Sequence, residues 1–170
     1  MRRKDDSMKR IGIRRLEPNR VVNSLLNGRN IYGIGARYGS DYMVTPFLEK
    51  GVIGIGYDIE DVPEIWNAFI KTKKDDIIYM KALGPSSECL CVMGIGFIIN
   101  DNFYKDDKLG ILKRVHWCFE NEVYLPEGWE KDKHWHQRLG TIYQEFSPRI
   151  QNRILDMMLN SERYPDETED

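Results

Sequence analysis

Asp76–Leu83 (DIIYMKAL) and Cys89–Ile99 (CLCVMGIGFII), joined across Gly84–Ser87 (GPSS), decide the fold. Both runs are rich in β-branched and aromatic residues, and a Gly-Pro-Ser-Ser junction between two apolar runs is turn chemistry, so the pair predicts a β-hairpin. The second run carries no charge over eleven residues, which is the composition of a strand covered on both faces. The hairpin should therefore lie at the centre of a sheet.

Working outward, Asn30–Ala36 (NIYGIGA) and Gly51–Tyr57 (GVIGIGY) are short glycine-spaced runs that predict strands. Between them, Tyr42, Met43, Phe47 and Leu48 predict one face of a short helix, with Pro46 early enough to be tolerated. A second helix follows from Asp61 through VPEIWNAFIK, with Pro63 in its first turn and Ile65, Trp66, Phe69 and Ile70 as its apolar stripe. Leu112–Phe119 (LKRVHWCF) alternates as a strand does, setting Val115, Trp117 and Phe119 on one face and Arg114, His116 and Cys118 on the other. Gln144–Leu159 predicts a C-terminal helix with Ser147 at its cap, Pro148 at its first position and Ile150, Ile154, Met157 and Met158 buried. The expected class is α+β: a small, strongly bent mixed β barrel with flanking helices and an extra C-terminal helix.

A chain of 170 residues with 41% hydrophobic and 31% charged residues fits one core and excludes a large multidomain enzyme. The expected organisation is a basic arm over 1–29, one domain over 30–160 and an acidic tail over 161–170. Residues 1–20 hold eight Lys/Arg against three acids, and residues 156–170 hold six acids against Arg163. With a formal net charge of −2, bulk electrostatics will not hold nucleic acid, so any such binding needs a local patch. No long apolar run suggests a membrane span or a leader, and the odd set Cys89, Cys91 and Cys118 suggests reduced thiols. Both features lead to a cytoplasmic expectation.

The Gly-x-Gly pairs at Gly33, Gly54 and Gly94 lack the further glycine or the Gly-Lys-Ser/Thr ending that a phosphate loop requires. Glycine inside a strand instead marks a bulge, a corner or close backbone approach. His116-x-Cys118 and His134-x-His136 do not match zinc-site spacing, and Asp75, Asp76 and Lys81 have the wrong spacing for a nuclease triplet. Neither a catalytic group nor a cofactor is expected. Aromatic residues at strand ends, among them Tyr38, Tyr42, Tyr57, Trp66 and Trp117, are more suggestive, because rings around a concavity suit a flat heteroaromatic ligand.

The order of these segments resembles the EVE-like branch of the PUA superfamily, found in prokaryotic restriction and defence proteins. The resemblance is carried by NIYGIGARYG (30–39), FLEKGVIGIGY (47–57), DVPEIWNAF (61–69), KKDDIIYMKAL (73–83), CVMGIGFIIN (91–100) and KRVHWCFE (113–120). Asp75 stands where relatives have Gly, and Tyr57 where they often have Trp. The resemblance implies a bent barrel that reads a modified or flipped base without catalysis, with Tyr57 and Trp117 stacking and Lys81 meeting a phosphate or a base edge. Arg2, Arg3, Lys4, Arg14 and Arg15 would add backbone contacts to DNA or RNA. Two alternatives stand beside it: an adaptor or inhibitor that docks a protein partner through its C-terminal helix, and a sensor or small enzyme acting on a nucleotide signal.

Overall fold

The computed structural model describes residues 26–58, 60–82, 89–125 and 135–167, with the backbone alone at 135 and 136. Residues 1–25 of the basic arm, the GPSS turn and most of the segment before Gln137 lie outside these residues.

The central hairpin forms as its composition requires: β5 (Ile77–Ala82) pairs antiparallel with β6 (Leu90–Ile98), and nearly every residue of both is buried. β1 (Ile31–Gly35) lies parallel to β5 on one side, and β8 (Gly110–Phe119) antiparallel to β6 on the other. β4 (Val52–Ile55) extends the sheet beyond β8, while β7 (Tyr104–Asp106) pairs with β8 and β9 (Val123–Leu125) with β6. The far edge is β10 (Ile142–Gln144), antiparallel to β1. Arg37–Tyr38 and Asp41–Tyr42 form a separate tight hairpin, β2 and β3, directly after β1.

The expected strongly bent barrel takes the form of a half-barrel. Its mixed sheet runs β10-β1-β5-β6-β8-β4, and the two end strands do not pair with each other. Two register shifts, at Met80/Lys81 against β6 and at Ile95/Gly96 against β8, supply the curl, since a bulge adds a local bend and twist. The intrastrand glycines serve that geometry. A Cβ on Gly96 would run into the His116 carbonyl, and one on Gly33 into the Tyr143 ring.

One core fills the concave side: Ile34, Ile53, Ile78, Met80 and Leu112 meet Phe47 of α1 (Val44–Lys50) and Trp66 and Phe69 of α2 (Pro63–Lys71). Full burial of each such side chain contributes about 1.5–3 kcal/mol. Pro63 opens α2 as expected, whereas Ile70 is exposed rather than part of its stripe. The second core lies on the other face, where Ile31, Ile77, Tyr79 and Val92 meet Ile150, Ile154 and Met157 of α3 (Pro148–Leu159).

Two differences from the sequence reading have physical reasons. Tyr42 belongs to β3 rather than to a helix, because the hairpin Arg37–Tyr42 uses Gly39 at φ 59° to reverse the chain. The C-terminal helix starts at Pro148, as expected, and Ile142–Gln144 before it is drawn into pairing with β1. The Ser147 hydroxyl does not cap α3; the Ser147 N–H instead donates to Glu145 Oε1 at 3.0 Å. The described part of the acidic tail is tied back to the sheet: Glu167 N–H donates to the Glu122 carbonyl, and Tyr124 N–H to the Glu167 carboxylate. Asp75 holds φ 71° in the left-handed region that favours glycine. No helix among the described residues is long and apolar enough to cross a membrane.

Candidate functional site

A cleft of about 440 Å³ opens where the C-terminal ends of the parallel pair β1 and β5 meet the β2–β3 hairpin and the turn before β10. Gly35, Ala36 and Arg37 enter from the first strand, Lys81 and Ala82 from β5, Met93 from β6, Tyr42 from the hairpin, and Leu139, Gly140 and Thr141 from the turn. The register shift at Met80/Lys81 leaves Met93 without a partner on β5 and bends the strand where Lys81 leaves it. Bulges recur beside binding sites because they re-aim side chains in this way.

Lys81 is buried to 6% exposure, and its Nζ donates to the Gly140 carbonyl at 2.7 Å. The ammonium also lies 5.7 Å from the centre of the Tyr143 ring. Burial without a carboxylate partner pushes its pKa from the ordinary lysine value down to about 8. An ammonium carries three donors, so two N–H bonds of Lys81 have no protein acceptor among the described residues. Lys113 provides the contrast: fully buried, it donates to both the carbonyl and the hydroxyl of Thr72 at the end of α2, and packs over Phe69. That lysine is a structural tie. Lys81 has donors to spare.

The wall opposite is equally organised. The Arg37 guanidinium stacks over the Tyr42 ring at 5.8 Å, and the Tyr42 hydroxyl donates to Met93 Sδ, which fixes the ring plane at the cleft. Tyr38 anchors the same hairpin by donating to the Leu109 carbonyl at 2.8 Å and packing its edge on Phe47. Three carbonyls around the cleft each accept a hydrogen bond: Ala36 from Met43 N–H, Thr141 from Gly35 N–H and Gly140 from Lys81. Two cations and no carboxylate line the space.

Behind Lys81 a buried polar chain holds the cleft floor. Arg138 and Glu145, 0% and 1% exposed, form an ion pair at 3.0 Å, reinforced by Arg138 Nε to Glu145 Oε2 at 3.1 Å. Tyr79 donates to Glu145 Oε2 at 2.9 Å and also meets the Tyr143 hydroxyl, and burial holds both phenols above their ordinary pKa. Because Arg138 directly precedes Leu139 and Gly140, this chain fixes the turn against which Lys81 rests.

Of the three residues assigned to a base pocket from the sequence, Lys81 lines this cleft; Tyr57 and Trp117 are not among its lining residues. Tyr57 sits past the end of β4 with its ring half exposed, and its carbonyl accepts Trp66 Nε1–H at 3.1 Å. Trp117 lies on the expected face of β8, but its Nε1–H donates to the Phe47 carbonyl at 3.0 Å and its ring packs in the concave core, fastening α1 to the sheet. Arg2, Arg3, Lys4, Arg14 and Arg15 lie outside the described residues. Tyr42 was among the aromatic residues the sequence suggested for a concavity, whereas Arg37, Met93 and Thr141 were not; their one local signal was the glycine-flanked GARYGSDY stretch directly after a predicted strand.

The weaker candidates resolve into ordinary roles. Asp76 accepts the N–H groups of Asn30 and Lys73 and so closes the turn before β5. His116 and Cys118 both point outward, and the Cys118 thiol is pushed above its ordinary pKa by desolvation, the wrong direction for a nucleophile. His134 lies outside the described residues, as does the side chain of His136. No cluster of three or more His, Cys, Asp or Glu able to hold a metal ion occurs among the described residues. The C-terminal helix buries Ile150, Ile154 and Met157 against the sheet, so its apolar stripe is occupied from within. No protein-family model and no curated protein matches the chain.

Proposed function

We propose that this protein is a non-catalytic nucleic-acid-binding module that takes a modified nucleobase into the cleft at the ends of β1 and β5, on a PUA/EVE-like half-barrel. The observation that carries the reading is Lys81, a buried lysine with unspent donors facing a cleft that contains no acid. Holding a desolvated cation in that position lowers the stability of the empty protein, which is understandable where a ligand supplies the missing acceptors. Ala36, Ala82, Met93 and Leu139 supply the apolar part of the wall beside the polar groups, and a pocket of this size suits a small flat ligand. Tyr42, ordered by Arg37 and Met93, takes the stacking role that the sequence offered to Tyr57 and Trp117. The basic residues Arg2, Arg3, Lys4, Arg14 and Arg15 would add salt-dependent contacts to the backbone of DNA or RNA. A restriction or defence setting rests on the sequence resemblance alone, and a cytoplasmic location on the sequence features given above.

The test is fluorescence polarisation with labelled single-stranded DNA and RNA carrying a panel of modified bases, using the wild type and Lys81→Met. Binding to at least one member, weakened tenfold or more by the substitution, supports the reading. Absence of binding to every oligonucleotide, or an unchanged affinity for Lys81→Met, overturns it.

A further inference from the structure

Charge, rather than any one hydrogen bond, restricts what the cleft can take. Among the described residues that line it, the charged side chains are Lys81 and Arg37, both cations. Lys81 lies deep, 6% exposed, with its bond to the Gly140 carbonyl; Arg37 lies at the exposed rim, its guanidinium over the Tyr42 ring. Two acids placed behind these residues are spent elsewhere. Glu145 is paired with Arg138, and Glu122, whose charge reaches Tyr42, accepts from the Cys91 thiol and the Tyr124 hydroxyl. Neither lines the cleft. Desolvation displaces the Lys81 pKa downward, with no described carboxylate offsetting it. A spare lone pair on a lining carbonyl or hydroxyl can take up a donor, but it carries no unit charge and leaves the ammonium unneutralised. A neutral occupant would expel water and raise that cost. An occupant with its own negative charge removes it.

The anion has to reach Lys81. A backbone phosphodiester is tied to a sugar on either side and cannot lead into a cleft, whereas a carboxylate on a base is terminal, planar and singly charged. Its two oxygens give one acceptor to the ammonium and one to the guanidinium, whose fork matches a carboxylate. A terminal phosphate, with a charge of about −1.5 to −2 at neutral pH, costs more to desolvate beside Ala36, Ala82 and Met93. Resting on the nucleobase reading above, we infer that the modification read here is an acidic one: the cleft takes a base bearing a carboxylate, held between Lys81 and Arg37. The site selects the charge, whichever ring carries it.

Fluorescence polarisation on single strands that differ at one central base tests the inference. The bases are 5-carboxycytosine and 5-carboxyuracil, their uncharged 5-carbamoyl isosteres, and 5-methylcytosine. At least one acid should bind roughly 10- to 100-fold more tightly than its carbamoyl partner, which has the same size and shape and lacks the charge. Lys81→Met and Arg37→Gln should each abolish that preference while their melting temperatures show intact folding; Arg37, being exposed, can be replaced without disturbing the core. Calorimetric titration with the free 5-carboxynucleosides and with cytidine and uridine 5′-monophosphates separates the two kinds of anion. Tighter binding of a carboxynucleoside supports the inference, and equal or tighter binding of a monophosphate overturns it. Equal affinity for each acid and its carbamoyl isostere, or tightest binding of 5-methylcytosine, overturns the acidic-base inference and leaves the nucleobase reading in place. If a free carboxynucleoside binds with the acid preference and no strand binds, the proposed function falls and the charge inference stands. No binding of any strand or nucleoside overturns both.

Discussion

Lys81 reaches across 59 positions of chain to rest its buried ammonium on the Gly140 carbonyl, and that single bond is all the hydrogen bonding it receives from the described residues. A cation so placed is a cost to the fold. Its pKa falls from 10.5 to about 8 through desolvation, which corresponds to roughly 3 kcal/mol of penalty on the charged form. Lys81→Met keeps the stem and removes the charge, at the expense of the Gly140 hydrogen bond, about 1 kcal/mol. The variant should therefore melt higher than the wild type, by about 1–2 kcal/mol or roughly 3–6 °C, while losing ligand. A melting temperature lowered by several degrees at neutral pH would show that Lys81 is a structural tie, like Lys113.

The same shift sets a pH window. A lysine whose folded pKa is depressed binds more protons in the unfolded chain between about pH 8 and 10.5, so its contribution to stability rises with pH across that interval. Ligand affinity should move the other way. The groups facing the ammonium are the Tyr143 ring and the Gly140 carbonyl, with Arg37 across the cleft, and the Tyr143 phenol is held above its ordinary pKa. Titrations from pH 6.5 to 9.5 should show affinity constant at first and then falling as Lys81 loses its proton near pH 8. A flat profile, with the wild type and Lys81→Met giving the same slope, would remove the ammonium from recognition.

Gly33 and Tyr143 are opposite one another in the β1–β10 register, and the tyrosine ring occupies the place a Cβ on residue 33 would need. Gly33→Ala should cost about 2 kcal/mol or more, through overpacking against a ring that cannot leave its hydrogen bond with Tyr79. Tyr143→Leu clears the space and exposes its own cost. In the double variant, Gly33→Ala should add little, giving a coupling of at least about 1 kcal/mol in denaturant unfolding. Additive losses would mean that the two residues do not share that space.

The half-barrel was legible where a segment carries its own pattern. The uncharged run at Cys89–Ile99 read as the sheet centre, Pro63 marked the start of α2, and the alternation around Trp117 assigned the faces of β8. Lys81 was reached through the family resemblance, not through any pattern in its own strand. The cleft itself was not legible, because its walls come from strand ends and turns brought together by pairing that no local window contains. β10 is three residues long, too short for any period, and its place beside β1 depends on Tyr143 filling the space that Gly33 leaves. Trp117 shows the converse limit: its face was readable, but its indole N–H is used by the Phe47 carbonyl of α1.

Glu145 gathers Arg138, Tyr79 and the Ser147 N–H around one carboxylate, and each bond fixes a different element against the cleft floor. Glu145→Gln keeps the shape and one acceptor but removes the charge beside an arginine that is completely buried. Taking away one partner of a buried ion pair costs about 3–5 kcal/mol, far more than an exposed pair would. The variant should melt roughly 8–15 °C lower, and the turn Leu139–Thr141 should lose its amide protection before β5 and β6 do. The order matters, because the turn depends on Arg138 whereas the central hairpin has its own ladder. Hydrogen exchange that weakened uniformly over the sheet would place Glu145 in the global core and detach it from the cleft wall.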